Sequence, residues 1–171
     1  MKKVQAYSMV KGTIRGAIIL GREERCMLKK EEKYVLSLAL ARKMAEAAEK
    51  KSKEIGVPII FSAVDDGGNL LLLNRMEDAI LVSIDIAINK AYTSVFLKLP
   101  TDQIAPLAQP GASLYGLQNT NNNRLVIFGG GYPLKVGDKI IGGIGVSGGT
   151  VEEDMVIASE ALKVFEMEGE I

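Results

Sequence analysis

The chain has 171 residues, with 21 Lys+Arg against 21 Asp+Glu, one Cys, no Trp and no His. That length suits one ordinary domain whose core needs no disulfide or metal. Without an imidazole, Ser-His-Asp and Cys-His nucleophile systems, His-ligated zinc, facial-triad iron and bis-His haem are all excluded.

Zero net charge gives no overall field toward a polyanion or an anionic membrane, so neither a nucleic-acid nor a membrane partner is expected. Cys26 has no second cysteine to pair with, which excludes an internal disulfide or a four-thiolate site and fits a reducing, cytoplasmic setting. The first residues begin like a signal peptide, but Gln5, Ser8 and Lys11 interrupt the apolar run. Residues 1–30, with Gly12, Gly16 and Gly21 spaced through them, read as an N-terminal extension, and residues 31–171 as a single domain.

From about Glu31 to Ile55, apolar and charged residues alternate at helical spacing until Gly56 and Pro58 stop the run. Glu46 and Glu49 lie three apart on this helix, among lysines that mark a solvated face rather than a metal site. Residues 59–64 and 70–76 are β-compatible runs flanking Asp65-Asp66-Gly67-Gly68-Asn69, which predicts a hairpin. A second helix is expected from Ala79 to Leu97. Its small residues Ala87 and Ala91 suit close packing on a sheet, and Ser83, Lys90 and Ser94 share an adjacent polar stripe.

Thr101 is a candidate cap for a short turn over 102–107, followed by an irregular polar stretch. Residues 125–128, 132–136 and 139–146 read as three strands, with Pro133 placing the middle one at a strand start or an edge. Thr150-Val151-Glu152-Glu153 is a capping box opening a last helix that buries Met155, Ile157, Ala158, Ala161, Leu162 and Phe165. Strands joined mainly by hairpins, with helices between and after them, predict an α+β fold with a five-stranded antiparallel sheet flanked by helices.

Chemistry concentrates in three places. Glycines cluster at Gly129-Gly130-Gly131 and around Gly148 just before a helix N-terminus, where backbone N–H groups can meet an anion; tight turns and helix packing explain them equally well. Lys90 is either one of many surface lysines or, in a cleft, a carboxylate partner, base or Schiff-base nucleophile. Asp65, Asp66 and Arg75 fit turn and edge chemistry, and Asp154 in the first turn of the last helix is accounted for by the helix dipole.

Four motifs in order carry a resemblance: Val64-Asp65-Asp66-Gly67-Gly68-Asn69-Leu70, Asn89-Lys90-Ala91-Tyr92-Thr93-Ser94, Phe128-Gly129-Gly130-Gly131-Tyr132-Pro133-Leu134, and Ile141 to Gly149 with Glu152-Glu153-Asp154. Together they resemble the GlcG/HbpS family, which includes PduO carboxy-terminal domains, over roughly residues 32–166. The resemblance implies a profilin-like or PAS-like sheet, homo-oligomers, and binding of haem or corrinoids in some members. It does not imply adenosyltransferase activity, which belongs to a separate PduO domain. Haem-binding relatives use histidine, so any haem here would need a Met, Tyr, Cys or Lys ligand, Cys26 and Tyr7 among them, or none.

The expected function is a non-catalytic, oligomeric small-molecule-binding protein for an anionic metabolite or a tetrapyrrole. Its site would draw on Asp65, Arg75, Lys90, Ser94, Gly129, Gly130, Gly131, Ser147 and Gly148. One alternative is an enzyme acting on a small carbonyl or hydroxy acid, with Lys90 as base or Schiff-base residue and Asp65 or Asp154 as proton partner. Another is a scaffold for a metabolic complex.

Overall fold

The computed structural model describes residues 34–169. Residues 1–30, with Cys26 and Tyr7, lie outside them. Helix α1 (Leu38–Ile55) leads into the hairpin β1 (Ile60–Asp65) and β2 (Leu70–Arg75), then α2 (Ser83–Leu97) and the short α3 (Thr101–Ile104). After 3₁₀ turns come β3 (Gly131–Val136), β4 (Lys139–Ser147) and α4 (Val151–Gly169). The strands form one antiparallel sheet in the order β2-β1-β4-β3.

The sheet is the middle of three layers, as the alternation along β1 requires. Phe61 and Ala63 face one way, into a core with Ala41, Met44, Ala45 and Ala48 of α1, Ile144 and Val146 of β4, and Ile157, Ala158, Ala161 and Phe165 of α4. Ile60 and Val64 face the other way, onto Ala87, Ala91 and Val95 of α2.

The α2 layer lies unusually close. At Gly145 a Cβ would sit 2.1 Å from the Ala87 carbonyl oxygen, and at Gly143 it would sit 2.8 Å from that of Ala91. Small residues on both sides let backbone rest on backbone, the close approach that Ala87 and Ala91 foreshadow. Just past the C-terminal end of β4, Glu153 N–H donates to the Thr150 hydroxyl and the Glu153 carboxylate accepts from Thr150 N–H, completing the expected capping box. Thr150→Ala is expected to cost about 1 kcal/mol of stability in urea unfolding; no change would mean the box is dispensable.

Several expectations need correction. The sheet has four strands, not five. Residues 125–128 do not pair with a strand; instead Val126 N–H donates to the Thr93 hydroxyl, so this segment runs against α2. The first helix begins at Leu38 rather than near Glu31, because the Ser37 hydroxyl accepts from Leu40 N–H and caps it there. The second begins at Ser83, after turns in which Asp78 takes φ +64° and Ala79 N–H bonds the Met76 carbonyl. Thr101 does not cap α3; its hydroxyl accepts from Gly131 N–H and ties that helix to the start of β3. Pro133 does lie on an edge strand, as its missing N–H demands. None of the described helices is long and apolar enough to cross a membrane.

Candidate functional site

The close seating of α2 carries Lys90 into the interior. Its Cβ lies against Gly145, and its Nζ ends beneath Gly130, where an added Cβ would stand 2.8 Å from it. Gly130 also has φ +109°, so both its backbone and the space over it demand glycine. The ammonium donates to the Val146 carbonyl at 2.8 Å and to Asp154 Oδ2 at 2.6 Å. Its third direction meets the ring of Phe128, whose centroid is 5.0 Å away. The Lys90 side chain is 0% exposed and that of Asp154 4%.

Asp154 stands in the first turn of α4, and its Oδ1 accepts from Gly149 N–H at 3.0 Å, with the Gly148 amide also directed at the carboxylate. An anion does meet the amides at this glycine-rich helix start, and it is the protein's own. Burial holds the Lys90 ammonium below the ordinary lysine range, opposed by the Asp154 charge and hydrogen bond. Burial likewise holds the Asp154 carboxyl above the ordinary carboxylate range, opposed by Lys90 and then the two glycine amides. Desolvation outweighs pairing on both sides of the bond.

The structure thus brings together Lys90, Gly130, Gly148 and Asp154. Gly129 and Gly131 flank them, the first packed on Met155 and Val151 of α4, the second on the Lys90 carbonyl. Other residues expected at the site stand elsewhere. Asp65 shapes the β1–β2 turn, its Oδ1 accepting from the amides of Gly67 and Asn69, and the register sets it opposite Gly142 rather than Gly145. Arg75 is exposed at the end of the edge strand β2. Ser94 donates to the Ala91 carbonyl within its own helix, and Ser147 donates to Ser83.

Sequence reasoning offered Asp154 only as one of two alternative proton partners for Lys90, without their burial as an ion pair, and missed Phe128. The available signal was periodicity: Asp154, Ile157, Ala158, Ala161 and Phe165 form one buried helical stripe, and an acid leading such a stripe needs a buried partner. Among the described residues, no group of three or more His, Cys, Asp or Glu side chains is arranged to hold a metal.

The opposite face of α2 carries a second constellation. Tyr92 and Phe96 stack at 4.3 Å between ring centroids, the Arg124 guanidinium lies 3.6 Å from the Tyr92 ring centre, and Arg124 Nε donates to Asn89. Asn121 donates to the Tyr92 hydroxyl, and Phe96 remains half-exposed.

The family described as "Haem degrading protein HbpS-like" matches residues 36–163. An uncharacterised 15.0 kDa protein from the dhaT-dhaS intergenic region of Citrobacter freundii is 54% identical over 139 residues, covering 81% of this chain and 98% of that protein. The corrinoid adenosyltransferase PduO of the same species is 41% identical over 133 residues. That match covers 78% of this chain but only 40% of PduO. Among solved structures, a PduOC:heme complex superimposes with a TM-score of 0.75 at 40% identity, covering 77% of this chain and 95% of that one. The chain therefore belongs to the HbpS-like family, the group that includes the GlcG proteins.

Proposed function

We infer that this protein is a non-catalytic, homo-oligomeric binding protein for a planar anionic small molecule, a tetrapyrrole being the best-supported class. Support comes from the likeness to a chain solved with haem. The observation in this molecule that carries the reading is the Arg124–Tyr92–Phe96 stack, which offers a half-exposed aromatic ring and a guanidinium on one helix face. A flat apolar ligand bearing carboxylates matches that pairing.

The interior does not fit haem ligation by Lys90. Its nitrogen is buried and already donates to Asp154 and Val146, and the chain has no histidine. Iron coordination is accordingly no part of this reading. The same burial leaves Lys90 no open approach for a carbonyl substrate in the closed arrangement, which favours binding over Schiff-base turnover as the main role.

Haemin titration tests it. A saturable shift of the Soret band away from free haemin is expected, with affinity weakened roughly 5- to 10-fold in Phe96→Ala or Arg124→Ala, as loss of one stacking or charge contact implies. A Soret band identical to free haemin, with no saturation, would sink the reading. Light scattering after size exclusion checks the oligomer.

A further inference from the structure

The Lys90–Asp154 pair is shut from solvent, yet it lies only one side chain beneath the surface. Phe128, whose ring covers the ammonium, is itself 38% exposed. The next three residues are glycines, so beyond Phe128 this wall of the nook is bare backbone. Gly129 packs on Met155 and Val151, which gives the nook an apolar rim beside a polar floor. Here an amine and a carboxylate 2.6 Å apart lie beneath a half-exposed aromatic ring that has solvent on its outer side.

We propose that Phe128 gates a covalent carbonyl-binding site, in which Lys90 captures a small aliphatic aldehyde or ketone as an imine and Asp154 shuttles the proton. With Phe128 swung aside, the ammonium gives a proton to Asp154 Oδ2, and the free amine forms a C–N bond to the carbonyl carbon. Asp154 returns that proton to the resulting alkoxide, giving a carbinolamine. It then takes a proton from nitrogen and delivers it to the hydroxyl, which leaves as water while the nitrogen lone pair closes the C=N bond. The sum is ammonium plus carbonyl giving protonated imine plus water, with Asp154 ending as the carboxylate and no oxidant or reductant required. The shifts of both groups toward their neutral forms support the first transfer.

This site is distinct from the α2 outer face, so the haemin titration and the following test fail independently. The full chain is incubated near pH 7 with acetaldehyde and sodium cyanoborohydride, which reduces imines in place, and labelled lysines are mapped by peptide mass. Exposed lysines, charged at that pH, react slowly. Lys90 is expected to be labelled in the wild type and roughly tenfold faster in Phe128→Ala, between what an exposed and a desolvated cation–π contact are worth. Phe128→Leu, which keeps a branched apolar cover but removes the π face, should fall between them and covers a failure of the alanine variant to fold. Lys90→Arg should lose that labelled position alone. Labelling confined to surface lysines in both Phe128 variants, or equal rates at Lys90 in all three proteins, overturns the proposal.

Discussion

Replacing Gly145 by alanine is expected to destabilise the domain by about 3 kcal/mol or more, at or above the top of the usual overpacking range. The added methyl would sit 2.1 Å from the Ala87 carbonyl oxygen and 2.7 Å from the Ala91 nitrogen, both backbone atoms, while real Cβ contacts essentially never fall below 3.0 Å. No rotamer change relieves a backbone clash, so α2 must lift from the sheet by about 1 Å at this point. Lifting α2 also draws Lys90 away from Asp154, stretching a 2.6 Å bond beyond the ~3.2 Å limit of a good hydrogen bond. The substitution thus combines steric strain with a weakened buried ion pair. Gly137→Asn is the control. Gly137 has φ +57° but open space around its Cα, and asparagine tolerates that backbone, so a cost under about 1 kcal/mol is expected. Urea midpoints measured side by side decide the matter. If Gly145→Ala unfolds within about 0.5 kcal/mol of the wild type, the helix does not rest on the glycines as described.

Much of this arrangement is legible in the residues. Ala87 and Ala91 at helical spacing, facing a strand with glycine at every other position, announce close helix–sheet packing. Thr150 and Glu153 announce the start of α4, and the Asp65–Asn69 stretch announces a turn. Extended conformation was harder to read at Leu125-Val126-Ile127-Phe128, which has the composition of a strand. Whether such a run joins a sheet depends on which acceptor reaches its amides first, and here the Thr93 hydroxyl on α2 accepts from the Val126 N–H. The site was half legible for a similar reason. Lys90 stands out as a lysine beside small residues, but its partner lies 64 positions away, and a helix dipole is sufficient reason for an acid at Asp154. Local rules account for each residue singly; only the fold, which carries the Lys90 side chain from α2 beneath Gly130 to the first turn of α4, shows that each explains the other's burial.

That mutual burial sets the second large effect. Lys90→Met leaves the Asp154 carboxylate buried without its counter-ion, and Asp154→Asn leaves the Lys90 ammonium in the same position. Each is expected to cost about 3–5 kcal/mol at pH 7. The double variant Lys90→Met, Asp154→Asn should recover most of that loss. It removes both charges while retaining an acceptor for Gly149 N–H and an amide donor close to the vacated Val146 carbonyl. The pH dependence follows from the directions of the shifts. Asp154 is raised in the folded protein, so the folded state holds a proton there that the unfolded state has lost, and its contribution improves as pH falls through the folded value toward the ordinary one. Lys90 is lowered, so the folded state gives up a proton that the unfolded state keeps, and its contribution improves as pH rises from the folded value toward the ordinary one. Relative to the neutral double variant, the wild type should therefore be least favoured between those two folded values and gain ground on either side. Urea unfolding of both proteins from pH 5 to pH 10 tests this directly. A wild type whose advantage peaks near neutrality and decays toward acid and alkali would show instead that pairing outweighs desolvation at Lys90 and Asp154.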